Sequence, residues 1–145
     1  MNWMREAEDK LRHYAAWQSA IKRTKAEVRR LEEDFVTIRS ANTDKTPVQG
    51  GGNTREEAMC ANIAERQELE TLLQTTERKV AEVKKTLELL QPEERAILDA
   101  MIINYRRGNV DKVCRELHIE RATAYRRRDK ALRAFGMAYY GAIET

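Results

Sequence analysis

The sequence predicts an all-α protein in which a long antiparallel helical hairpin, a coiled coil, precedes a small C-terminal helix-turn-helix domain. Three observations carry this prediction. Apolar residues keep a heptad period in the first predicted helix and form a stripe in the second. Helix breakers are scarce, with 2 Pro and 6 Gly in 145 residues, and a strongly basic helical segment follows a short apolar one near the C-terminus. Charged residues make up 35% of the chain and aromatic residues 6%, a composition that suits long, exposed helices better than one thick globule.

The first helix is predicted over residues 3–38, with Asn2 as its N-cap. Its apolar positions repeat every seven residues, which over almost five heptads is typical of a coiled-coil seam. One series is Ala7, Tyr14, Ile21, Val28 and Phe35; the other is Trp3, Trp17, Leu31 and Ile38, and Lys10 and Thr24 interrupt it.

A loop over residues 41–54 is predicted to end this helix, because Pro47 and the glycines at 50–52 cannot extend it at low cost. We interpret the loop as a flexible hinge without chemistry. Thr54 and Glu57 then have the spacing of a capping box that starts a second helix over 55–90. The apolar stripe of that helix consists of Met59, Ile63, Leu69, Leu73, Thr76, Val80, Val83, Leu87 and Leu90.

Two amphipathic helices of nearly equal length can bury their stripes in two ways. They can fold back on each other within one chain, or they can pair between chains as a dimer or a four-helix bundle. The sequence leaves both arrangements open. A single hairpin would leave much apolar edge exposed, so we expect a homo-oligomer that associates through residues 1–90.

In the second predicted domain, residues 91–145, the first helix begins at Pro92, because proline suits the first position of a helix. That helix is predicted over 92–107, with Gly108 just after its end. A short helix over 110–117, a turn over 118–120 and a last helix over 121–138 complete the domain. This order matches a helix-turn-helix, and His118 occupies the turn position where a left-handed backbone is usual.

Positive charge is concentrated in this second domain. Residues 1–90 carry 16 basic and 16 acidic side chains, whereas residues 105–134 carry 10 basic and 4 acidic ones. Such a local excess is the electrostatic signature of a nucleic-acid-binding protein. We therefore expect double-stranded DNA as the partner and residues 91–145 as the part that binds it.

The last helix divides into an inward and an outward face at 100° per residue. Ala124, Ala131 and Phe135 share the inward face, with Leu132 at its edge, while Arg128 lies near that face although its charge is unfavourable there. Arg126 and Arg121 are the candidates for reading bases, and Arg127, Lys130 and Arg133 for holding phosphates. The full set of candidate DNA-binding residues is Arg121, Ala122, Tyr125, Arg126, Arg127, Asp129, Lys130 and Arg133.

No motif indicates an enzyme, a cofactor or a metal site. Cys60 and Cys114 lie far apart without partner spacing, and His13 and His118 belong to no ligand cluster. The first residues contain no apolar signal core, and no run approaches the 18 apolar residues of a membrane span. We expect a cytoplasmic protein without a membrane partner.

Part of the second domain resembles the region of sigma-70-type factors that reads the −35 promoter element. The resemblance rests on the run Leu-Gln-Pro-Glu-Glu-Arg at 90–95, then Leu98, Leu117, Ile119, Thr123, Ala131 and Leu132. Together with the helical first half and the Thr-Pro-Val-Gln-Gly-Gly run at 46–51, the chain is similar to the ArpU/RinA-like late-gene activators of phages and prophages. The resemblance implies a transcription regulator, with RNA polymerase as a further partner.

Two other functions fit the same features. A phage small terminase subunit also combines a helix-turn-helix with a coiled coil, although there the DNA-binding part normally comes first. A coiled-coil assembly protein could instead use the basic helix to bind an acidic protein. Duplex binding in moderate salt separates the assembly protein from the two DNA-binding functions.

Overall fold

The computed structural model describes residues 2–41 and 52–141, and these residues form helices joined by short turns, without strands. The helices are α1 (Trp3–Ser40), α2 (Gly52–Glu88), α3 (Pro92–Leu98), α4 (Asn109–Leu117) and α5 (Arg121–Tyr140). A π-helical turn, Asp99–Ile103, continues α3. The all-α prediction is confirmed. Of the predicted 41–54 hinge, residues 42–51, including Pro47, lie outside the described residues.

The two long helices, α1 and α2, differ in how their N-terminal ends are capped. Asn2 caps α1, because its Oδ1 accepts a hydrogen bond from the Arg5 amide at 3.3 Å. The predicted capping box of α2 is wrong, since the helix already begins at Gly52 and Thr54 lies inside it. First-turn amides lack intrahelical partners in any case, so a glycine there disrupts less than one in a helix interior.

The predicted helix over 92–107 is also corrected. Its start is as predicted, with Pro92 at the first position and the Gln91 amide donating to Glu94 Oε1 at 3.1 Å. Its end comes early, because the Asn104 amide bonds to the Asp99 carbonyl five residues back at 2.8 Å and the chain then leaves the helix. Gly108, predicted to follow this helix, instead precedes α4 with φ of +93°.

Contacts divide the chain into two compact units. The first unit contains residues up to 18 and from 78 onward, and the second contains residues 19–77. This division by packing does not coincide with the boundary predicted at residue 90, and the assignment of 1–90 and 91–145 as functional domains stays a prediction.

One hydrophobic core organises the first unit, and every helix contributes to it. Its largest fully buried side chains are Phe135, Leu11, Leu98 and Val83. The buried members are Ala7, Leu11 and Tyr14 of α1, Val83 of α2, Leu90 between α2 and α3, Ile97 and Leu98 of α3, Met101 and Ile102 of the π-helical turn, Val110 and Val113 of α4, and Ala124, Ala131, Leu132 and Phe135 of α5. The C-terminal helices therefore share one core with the N-terminal part of α1 and the C-terminal part of α2.

In the second unit, α1 and α2 contact each other through a buried polar residue. Asn62 is 6% exposed, and its Nδ2 donates to the Leu31 carbonyl at 2.8 Å. Its Oδ1 accepts from Arg66 Nε at 2.8 Å, and the Arg66 guanidinium lies 5.0 Å from the centre of the Phe35 ring. The predicted stripe is one residue off here, because Ile63 is 38% exposed whereas Asn62 faces inward.

Candidate nucleic-acid interface

The segment that joins α4 to α5 turns sharply at His118. This residue adopts φ of +54° and ψ of +50°, and it is the only residue other than glycine with a positive φ among those described. The Ile119 amide closes the turn by donating to the Cys114 carbonyl at 3.1 Å. The left-handed backbone predicted for His118 is confirmed, and it lets α5 leave in a new direction.

The inward face of α5 agrees with the sequence prediction. Ala124, Ala131 and Phe135 are buried, and Leu132 joins them. Gly136 lies on the same face, and a Cβ there would overlap the ring of Trp3. The small residues at positions 124, 131 and 136 therefore let neighbouring helices approach this face of α5 closely.

The opposite face of α5 is open to solvent. Tyr125 is 43% exposed, and the Arg121 side chain is 63% exposed. The exposed candidates are Arg121, Ala122, Tyr125, Arg126, Asp129, Lys130 and Arg133, while Arg127 is half-buried. All eight predicted residues thus lie on α5 with their side chains reachable from solvent, although Arg127 is partly covered.

Two of these arginines already have a carboxylate partner. Arg127 Nη1 lies 2.6 Å from Glu93 Oε1 of α3, and Arg121 Nη1 lies 3.3 Å from Asp111 Oδ1 of α4. Arg126 has a neutral partner, donating to Thr123 Oγ1 at 3.1 Å. Glu93 therefore offsets the charge of Arg127, whereas within the described residues no carboxylate pairs with Arg126.

A cleft of about 510 Å³ lies beside the Arg127–Glu93 pair. It is lined by Gln91, Glu93, Glu94, Ile97, Arg127, Lys130 and Ala131. Its lining contains two carboxylates and two cations, so it has no single charge sign.

Arg128 lies inward, as its position on α5 predicted, and it has found a partner that the sequence did not indicate. Its side chain is 17% exposed, and Nη2 lies 2.5 Å from Glu8 Oε1 of α1. Burial raises the pKa of Glu8, but hydrogen bonds and attraction from Arg12 and Arg128 outweigh it and hold this pKa below the usual value. A partly buried arginine is more stable with an anion nearby. Because Glu8 lies 120 residues away in the sequence, local sequence patterns could not indicate it as the partner.

Within residues 2–41 and 52–141, no group of three or more His, Cys, Asp or Glu side chains could hold a metal ion. Cys60 is exposed and Cys114 is partly buried, and neither forms a disulfide. Over those same residues, no helix has both the length and the apolar character that crossing a membrane requires.

Comparison with known proteins adds one finding. No curated protein and no solved structure matches the chain. A family model described as "Protein of unknown function (DUF1492)" matches residues 37–136, which include all of α2, α3 and α4 together with most of α5. The chain therefore belongs to the DUF1492 family.

Proposed function

We propose that this protein is a sequence-specific, double-stranded-DNA-binding transcription regulator, and not an enzyme. In this proposal α4, the turn at His118 and α5 form a helix-turn-helix, with α5 as the recognition helix in the major groove. The single observation that carries it is the exposed basic face of α5, backed by an inward face that packs into the core. Because the inward face of α5 packs into the core, the basic face remains exposed and can bind duplex DNA.

The roles of the individual residues follow from their surroundings. Arg126 is assigned to a base edge, because it is exposed, lies near the start of α5 and pairs with no carboxylate of the described residues. Lys130 and Arg133 are assigned to phosphates, and Arg127 joins them once DNA displaces Glu93. Arg121 is placed at the edge of the same surface, where Asp111 restrains it.

The long helices are assigned to association. We propose that α1 and α2 form an antiparallel hairpin and that copies of it associate as a homo-oligomer. The Asn62–Leu31 hydrogen bond favours pairing of the two helices within one chain, because a buried amide specifies register. Activation of phage-type late genes through contact with RNA polymerase is proposed from the sigma-like resemblance alone.

The test is selection of bound fragments from a random duplex pool, followed by titration of the selected duplex at several salt concentrations. We expect the logarithm of the association constant to fall with the logarithm of salt concentration, with a slope of about −4 to −6 if roughly five to seven phosphates are engaged. Affinity that does not change between low and moderate salt, or no duplex binding at all, would contradict the proposal and favour an acidic protein as the partner.

A second prediction concerns Arg126. Lysine there keeps the charge but loses the planar fork that bonds two atoms of guanine. We expect Arg126→Lys to weaken binding to the selected duplex by about 1–3 kcal/mol and to relax the preference at one base position. Lys130→Ala is the matched comparison, which should weaken selected and scrambled duplexes alike and reduce the salt slope by about one. Equal weakening of both duplexes by Arg126→Lys would make Arg126 a phosphate contact.

A further inference from the structure

The turn that precedes α4 presents a second basic surface that the sequence motifs did not indicate. The segment of residues 104–109, which ends at the first residue of α4, is called the 104–109 turn. Tyr105 is 56% exposed, and Arg106 and Arg107 are both exposed. Throughout the described residues, neither arginine pairs with a carboxylate, in contrast to Arg121 and Arg127.

The 104–109 turn is fixed by side-chain hydrogen bonds. Asn109 Nδ2 donates to the carbonyls of Ala100 at 2.8 Å and Asn104 at 3.1 Å. Asn104 Nδ2 donates to Asp99 Oδ1 at 2.6 Å. The Asn109 amide adds a bond of 3.0 Å to the Arg106 carbonyl. The backbone that carries both arginines is therefore held in place before any ligand arrives, which lowers the entropy cost of binding.

The position of the turn relative to α5 follows from one ion pair. Asp111 lies in the first turn of α4 and contacts Arg121, the first residue of α5. The 104–109 turn runs directly into that first turn of α4, and one helical turn spans only about 5 Å. Arg106 and Arg107 therefore lie only a few residues before the turn of α4 that contacts the first residue of α5.

We propose that the 104–109 turn is a second DNA-backbone contact, in which Arg106 and Arg107 bind phosphates beside the groove that α5 enters. The inference rests on the function proposed above and extends it to residues outside α5. Arginine binds phosphate through paired N–H donors, and the Tyr105 hydroxyl supplies one further donor on the same turn. Because phosphates carry no base identity, this contact adds affinity and register but no sequence preference.

The experiment compares two double variants that each remove two exposed positive charges. Arg106→Ala/Arg107→Ala tests the turn, and Arg23→Ala/Lys25→Ala on the exposed surface of α1 is the control. We expect the turn variant to bind selected and scrambled duplexes more weakly, by at least about tenfold at low salt. Its salt slope should be smaller by about two, while the control variant keeps the wild-type slope.

A third variant, Arg106→Lys/Arg107→Lys, keeps the charges and should retain most of the slope. Melting temperatures of all variants are measured alongside, and we expect them to equal that of the wild type. Unchanged affinity and slope in the alanine variant would overturn the contact, as would a loss confined to the selected duplex. If the wild type binds no duplex in the same assay, the proposed function itself fails, and that result differs from a wild type that binds but ignores Arg106 and Arg107.

Discussion

Replacing Val83 by aspartate is expected to unfold the first compact unit. Val83 is fully buried in the core that also holds Leu11, Leu98 and Phe135. A carboxylate at this position either loses its hydration or takes up a proton, and either outcome costs several kcal/mol, roughly the size of the whole stability of a small domain. Far-ultraviolet circular dichroism and urea denaturation measure the effect, and we expect the variant to melt without a cooperative transition or at a much lower denaturant concentration.

Val80→Asp is the matched control for this variant, because the residue lies one helical turn earlier on α2. Val80 packs against the same core but stays partly exposed, so its carboxylate can reach water. We expect a loss of stability well below that of Val83→Asp. Equal stability losses in the two variants, or a Val83→Asp protein as stable as wild type, would mean that the buried face of α2 has been assigned wrongly.

The sequence predicted those features that depend on neighbouring residues. The inward face of α5 followed from the spacing of Ala124, Ala131 and Phe135, and it is confirmed. The left-handed backbone at His118 followed from its place between two short helical patterns, and it is confirmed as well. Both properties are decided by periodicity and turn chemistry within about 20 residues, which a single sequence displays directly.

Features that depend on distant partners could not be predicted in this way. The early end of α3 and the π-helical turn are accompanied by capture of the Ala100 carbonyl by Asn109, nine residues later. The position of Arg128 near the inward face was predicted, but its partner Glu8 was not. Gly136 inside α5 is explained only by the ring of Trp3 that lies against it. In each case the decisive group comes from another helix or turn, and periodicity carries no information about it.

This dependence on distant partners changes the expectation for the isolated C-terminal segment. The sequence assigned DNA binding to residues 91–145, and all eight candidate side chains lie there. The core beneath them, however, includes Ala7, Leu11 and Tyr14 of α1 together with Val83 and Leu90. A fragment of residues 91–145 would expose the apolar surface that these five side chains cover.

We therefore expect the 91–145 fragment to lack a cooperative thermal transition and to lose selective DNA binding, although it keeps the whole basic face. Truncating one buried leucine to alanine costs about 2–5 kcal/mol, and the fragment loses the contacts of several buried side chains together. A 55-residue chain has too little stability to tolerate that loss.

The full-length protein with Phe135→Ala provides a comparison, since it weakens the same core by about 3–5 kcal/mol without removing any charge. If the fragment melted cooperatively and bound the selected duplex with full affinity, the ends of the long helices would be dispensable for recognition, and residue 90 would mark a true domain boundary. If instead both the fragment and Phe135→Ala lost selective binding in proportion to their loss of folded structure, the ends of α1 and α2 would be part of the DNA-binding unit, because the orientation of α5 depends on the core they complete.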